Sequence, residues 1–221
     1  MIDLILAIVL GVVLTLVMYN IAFVAMMFAV KRVGYLKGIQ NEPWRSNLII
    51  GPIILLETIP VILFFSGFNL SDWGFAFPDL DALLITFIVG SIAAVITTFL
   101  QTYLDTRIDT NEESIVIDRS NILSYIFMII LLASIAEEVI FRGFLQQIID
   151  KTMLFAIDFG GFTVSSGVIV SMIVFGLVHL VAARQMKKPA LGMVLGSSIL
   201  GFTAGTMFLT FGSIMVPIIV H

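Results

Sequence analysis

Apolar stretches long enough to cross a bilayer follow one another from Ile2 almost to the end of the chain, and this leaves little choice of architecture. In hydrocarbon the backbone amides must be satisfied inside the structure itself, so runs of this length and evenness fold as membrane-spanning helices. Hydrophobic residues make up 60% of the chain and charged residues 12%, against the ~25% charge of soluble domains. The expected fold is all-α, a polytopic transmembrane helical bundle of about seven spans with the last one truncated. That makes the lipid bilayer its first partner and places it as a multi-pass integral membrane protein, of the cell membrane if the source is prokaryotic. A net charge of -4 provides no basic footprint, which argues against nucleic acid. With no cysteine, disulfides, thiolate metal sites and a cysteine nucleophile are excluded, leaving carboxylates and two histidines for any chemistry.

Ile2 to Val30 is too long for a signal-peptide core and lacks a basic start and a small-residue cleavage site, so it reads as a retained first span. Lys31, Arg32, Lys37 and Arg45 mark the following loop as cytoplasmic, with the N-terminus outside. Leu48 to Phe65 is the second span, interrupted by Pro52 and Pro60, with Glu57 between them as a secondary candidate best read as bonding a neighbouring helix. Gly67 to Asp81 holds three aspartates and no Lys or Arg, as an outer connection should. Ala82 to Leu104 is the third span, and parity makes Asp105 to Arg119 cytoplasmic. Ile122 to Ile149 is the fourth span, Asp150 to Gly161 an outer loop, and Phe162 to Ala183 the fifth span. Arg184, Lys187 and Lys188 mark a second cytoplasmic loop. Ala190 to Leu209, rich in glycine and serine, reads as a sixth, interior span that lets a neighbour approach closely. Gly212 to His221 begins a seventh, which stops after about ten residues.

The fourth span carries Glu137, Glu138 and Arg142 near its middle. Each charge at that depth costs roughly 2.5 to 3.5 kcal/mol on insertion scales, so together they cost on the order of 7 to 10 kcal/mol unless paired or wetted. Glu138 and Arg142 are four apart and stack on one helix face, while Glu137 points about 100° away and is left available. His179 on the fifth span and His221 in the last segment are the chain's two histidines, and both fall within the membrane. A buried carboxylate and two histidines supply what peptide hydrolysis needs, a base for water and a donor for the oxyanion. No His-Glu-x-x-His, Gly-x-Gly-Asp or Gly-x-Ser-x-Gly pattern marks a competing chemistry. Zinc held by Glu137, His179 and His221 is an alternative ranked below a metal-free, cofactor-free mechanism, because those ligands come from three helices with no local spacing to nucleate a site.

Glu137-Glu138-x-x-x-Arg142, Phe175-x-x-x-His179 and Pro217-Ile218-Ile219-Val220-His221 resemble, in order and helical placement, the three motifs of the CAAX protease and bacteriocin-processing family, in the manner of the type 2 CAAX prenyl proteases. Asp72-Trp73-Gly74-Phe75 resembles the short segment that precedes the family domain. The resemblance implies a glutamate-dependent intramembrane endopeptidase in which Glu137 and His179 activate water, His221 helps hold the oxyanion, and Glu138 and Arg142 brace the site. It divides the chain into N-terminal transmembrane helices, 1–66, and a protease core, 67–221, whose C-terminal end is incomplete, since the family's third motif continues to an Asn or Asp four residues beyond the histidine. The implied partner is a peptide or membrane-anchored protein substrate near the cytoplasmic face. The alternative, from another class, is a non-proteolytic scaffold that uses the same fold to regulate a partner membrane protein; its mark would be loss of motif residues, and all five are present. A transporter with a buried carboxylate relay ranks third, since no inverted repeat is visible. Oligomeric state leaves no mark in the sequence.

Overall fold

The computed structural model describes residues 2–33, 43–107, 122–152, 155–185 and 190–221. The expected cytoplasmic positions Lys37, Ile108 to Arg119, Lys187 and Lys188 lie outside the described residues. Seven helices carry the fold: α1 (Ile2–Arg32), α2 (Asn47–Ser66), α3 (Leu80–Arg107), α4 (Ile122–Asp150), α5 (Ser166–Gln185), α6 (Ala190–Phe211) and the short α7 (Met215–Val220). The first six are long and apolar enough to cross a membrane, and the chain is a multi-pass integral membrane protein. Their outward faces are lined with exposed Leu, Ile, Val and Phe, the surface that lipid covers.

Helix α4 is the centre of the bundle. Val139 to Gln146 is buried on every side, and α1, α2, α5, α6 and α7 all pack against α4. A helix surrounded in this way can be apolar all round, and Ile140, Phe141, Phe144 and Leu145 each have no exposed surface. Two stretches of α4, Ile126–Ala133 and Val139–Gln146, are wound in wider turns with i→i+5 bonding, a geometry uncommon in general and found most often near functional sites. The core continues from α4 into Met18 and Ala22 of α1 and Ile54 and Ile62 of α2, so residues from 1–66 and from 67–221 share one cluster.

Three local features differ from the sequence expectation. Pro52 and Pro60 do not interrupt α2, which runs as one helix of 20 residues; the carbonyls that proline leaves without a donor are tolerated in a membrane helix where neighbours and local adjustment re-satisfy them. The fifth span starts at Ser166 instead of Phe162, because the preceding residues form a hairpin of β1 (Ala156–Asp158) and β2 (Thr163–Ser165), paired antiparallel with Ile157 opposite Val164. Its turn closes on Asp158, whose Oδ1 accepts the amides of Gly160 and Gly161 at 2.9 and 3.2 Å. The bundle is therefore nearly, but not wholly, all-α. The third difference is the last segment, where Gly212 turns the chain at a φ of 63° and α7 follows as six residues.

The position of α7 is fixed from below by the connection between α2 and α3. Trp73 is buried there, and Gly74 takes a φ of 86°. A Cβ on Gly74 would clash with Phe208 Cε2, and the left-handed φ itself favours glycine at this approach. The Gly74 carbonyl accepts the amide of Ile214 at 2.7 Å, and the Ala76 carbonyl accepts the Ser213 hydroxyl at 2.5 Å. Helix α3 closes the other side, with Gly90 so near α7 that a Cβ would be 3.1 Å from the Val220 Cα. These contacts set where His221 points.

Candidate active site

Glu138, Arg142 and Gln146 recur every four residues on α4 and form one polar stripe with no exposed surface. A charge in that position must be answered by the protein. Arg142 Nη1 donates to Glu138 Oε1 at 2.9 Å, and Nη2 donates to the Gly201 carbonyl at 3.0 Å. One turn along, Gln146 Nε2 donates to the Gly205 carbonyl at 3.1 Å. The stripe on α4 thus reads carbonyls four apart on α6, and glycine is what lets the two backbones come so close. A Cβ on Gly201 would lie 3.4 Å from Arg142 Nη2 and 3.0 Å from Phe175, and one on Gly205 would lie 2.9 Å from Gln146 Oε1. The guanidinium also stacks over the Phe175 ring, 4.7 Å from its centroid.

Phe175 is the platform for both histidines. Its ring is 4.6 Å from that of His179 and 5.8 Å, edge to face, from that of His221. His179 Nδ1 is 2.8 Å from the Phe175 carbonyl. A carbonyl only accepts, so Nδ1 carries the proton and Nε2 is the basic nitrogen of the neutral ring. His221 arrives from α7 with Nδ1 3.0 Å from Glu138 Oε1 and Nε2 3.5 Å from Glu137 Oε2. Its Nδ1–H donates to Glu138, while the Nε2 contact is at the outer limit for a hydrogen bond.

Glu137 departs from the stripe as its position in the helical turn requires. Its side chain keeps 19% of its surface and lines a pocket of about 330 Å³ together with His179. The walls are Tyr19, Asn20 and Phe23 of α1, the first turns of α2, Ala133 and Ala136 of α4, and Val178, Val181 and Ala182 of α5. All of these lie toward the end of the bundle where α1 and α5 finish and α2 begins, the side that the loop charges assign to the cytoplasm. The pocket therefore offers a carboxylate and an imidazole between apolar walls.

Each of the five residues singled out in the sequence falls in this region, around Phe175. The expectation that Glu137 stands apart from any partner needs adjusting, because it faces His221 at 3.5 Å, and Tyr19 lines the same pocket. His221, expected to serve an oxyanion, already holds Glu138 through one nitrogen. Glu57 is elsewhere on α2 and does not line the pocket, and its buried Oε2 has no hydrogen-bond partner among the described residues. Sequence reasoning passed over Tyr19, Gln146 and the two glycine carbonyls. Tyr19-Asn20 was visible as a polar pair inside an apolar run, but nothing local says what it faces. Among the described residues no group of three or more His, Cys, Asp or Glu side chains is arranged to hold a metal ion.

Residues 119–221 match the family described as type II CAAX prenyl endopeptidase Rce1-like. This is the family that the three motifs resemble, a family of membrane-embedded endopeptidases, and the matched stretch includes α4 to α7 and with them Glu137, Glu138, Arg142, His179 and His221. No curated protein and no solved structure matches the chain at a significant level.

Proposed function

We propose that the chain, carrying an Rce1-like CAAX endopeptidase core over residues 119–221, hydrolyses a peptide bond of a membrane-anchored or membrane-delivered substrate with water activated by Glu137 and His179. The observation that carries this reading is that the partly exposed carboxylate and the imidazole line one pocket while the second carboxylate is spent on Arg142 behind it. Water held between them gives a proton to Glu137 as its oxygen attacks the scissile carbonyl carbon. The carbonyl oxygen becomes an oxyanion, and His221 Nε2, once protonated, donates to it from beside Glu137. The proton then passes from Glu137 or His179 to the leaving nitrogen, so the C–N bond breaks and an acid and an amine depart. Donors preplaced in a site of low polarity act on this developing charge more strongly than water does. Metal is not required in this scheme: the base is a side chain, and Arg142 and His221 provide the positive electrostatics.

The test is cleavage of a fluorogenic, farnesylated peptide ending in a CAAX sequence by the purified chain in detergent or nanodiscs, beside its unprenylated counterpart. Glu137→Ala and His179→Ala are each expected to lower the rate by on the order of 10²- to 10⁴-fold. Binding of either peptide without cleavage would favour the scaffold reading instead.

A further inference from the structure

We infer that the hairpin between α4 and α5 is an interfacial anchor: its apolar face lies in the headgroup–acyl boundary of the outer leaflet, with lipid as its partner. The inference does not depend on the peptidase reading, because the hairpin stands at the end of the bundle away from the pocket and no step of the hydrolysis uses it. Strands β1 and β2 are joined through Gly160 and Gly161, both at positive φ, as a tight hairpin turn requires. The register sets Ile157 opposite Val164, and the Phe159 amide donates to the Phe162 carbonyl at 2.9 Å. Side chains alternate along a strand and paired residues share a face. Ile157, Phe159, Phe162 and Val164 therefore form one apolar face, and Phe155 continues its alternation. Phe155, Ile157, Phe159 and Phe162 are all exposed, Phe159 by 67%. The opposite face carries Asp158, Thr163 and Ser165, and Ser165 is buried with its hydroxyl accepting the Val168 amide at 3.1 Å. The hairpin thus turns its polar face to the bundle and its apolar face outward.

A contiguous apolar patch of this kind marks an interaction surface, and its surroundings assign it to lipid. The hairpin leaves from the end of α4 and returns into the start of α5, so its apolar face continues the lipid-covered surface of the spans. At the same end of the bundle the connection between α2 and α3 exposes Phe68 and Phe77, the latter by 92%. Aromatic rings gathered at one level beside the span ends are the pattern of a membrane–water interface. The depth follows from the backbone. The Thr163 amide of β2 donates to the Thr210 hydroxyl of α6 at 3.4 Å, but β1 is the outer strand of a two-stranded sheet. An open strand edge is not stable in hydrocarbon. The hairpin must therefore stay where headgroups and water reach the outward amides of β1 while Phe155, Ile157, Phe159 and Phe162 dip among the acyl chains.

The chain has no cysteine, so single nitroxide labels can be placed at Ile157→Cys and Phe159→Cys in the full chain in nanodiscs. Val95→Cys on α3, where Val95 is exposed to lipid by 70%, gives the hydrocarbon reference, and the free label in buffer gives the aqueous one. Accessibility to oxygen relative to a water-soluble nickel complex is expected to be several-fold higher at 157 and 159 than for the free label, and lower than at 95. A second measurement keeps a large ring in place: Phe159→Trp in brominated-lipid nanodiscs, corrected for wild-type emission, should be quenched more by bromine high on the acyl chain than by bromine near its end. Thermal unfolding checks that each protein is folded, and if the labelled chains lose Tm, the Phe159→Trp quenching decides. Ratios at 157 and 159 equal to that of the free label, or no lipid quenching in Phe159→Trp, would overturn the inference. Spontaneous disulfide-linked dimers of Phe159→Cys would overturn it as well, in favour of a second copy of the chain on this face.

Discussion

Replacing Glu138 by Gln keeps the shape of the side chain and removes its charge, which makes it the sharpest probe of how the two adjacent glutamates divide their work. Glu138 Oε1 takes Arg142 Nη1 at 2.9 Å and His221 Nδ1 at 3.0 Å, while Oε2 is buried with no partner among the described residues. The amide oxygen can keep those two bonds, but the amide NH2 then has nothing to donate to, and Arg142 retains the Gly201 carbonyl as its remaining strong acceptor with no counter-charge. Removing one member of a buried pair costs about 3 to 5 kcal/mol. At roughly 2 to 4 °C per kcal/mol for a chain of this size, Tm should fall on the order of 10 °C. Glu137→Gln removes a charge that is partly exposed and only loosely contacted, and it should shift Tm by no more than about 2 °C. Replacing Glu138 and Arg142 together by Met should recover most of the loss, because a buried pair exchanged for apolar groups is often neutral. Thermal unfolding of all four proteins in one detergent gives the comparison. Equal losses for Glu137→Gln and Glu138→Gln, or no loss for Glu138→Gln, would refute the division of roles.

Other outcomes follow from the same geometry. Gly74→Ala forces a Cβ against Phe208 at a left-handed φ and should cost about 2 to 4 kcal/mol, read as a lower Tm. Gly90→Val presses on the Val220 backbone and should displace His221, lowering kcat on the peptide more than it lowers Tm; a Tm loss with intact kcat would disprove that α3 positions the histidine. A cysteine at position 184 should react with an impermeant maleimide only from the cytoplasmic side, whereas labelling from outside would invert the topology. Prolonged chelation should leave peptide cleavage unchanged, and elemental analysis should find no stoichiometric zinc; loss of activity restored by Zn²⁺ would reassign Glu137 and His179 as ligands.

The spans were legible because each is a run of apolar residues closed by charges, as Lys31 and Arg32 close α1. The Glu138–Arg142 pair was legible for a different reason, its spacing of four on a helix that can afford no unpaired charge. The wide turns of α4 were not, since Ile126 to Ala133 is uniformly apolar and carries no residue that marks a change of winding. The hairpin before α5 was readable in principle from Asp158, Gly160 and Gly161 between short β-prone runs, but the apolar residues around it merged with the span. What lay beyond the sequence was long-range pairing. The Gly201 and Gly205 carbonyls meet Arg142 and Gln146 across 59 residues, and Tyr19 of the first helix lines the same pocket as Glu137. Periodicity tells which face of a helix is polar, not which helix will stand opposite it.

If Glu137 and His179 are the base machinery of one pocket, single-turnover cleavage of the farnesylated CAAX peptide by the purified chain must depend on both. Product is expected from the wild-type chain, with losses of on the order of 10²-fold or more in Glu137→Gln and His179→Ala, both folded at the wild-type Tm. Undiminished cleavage in either variant would contradict it.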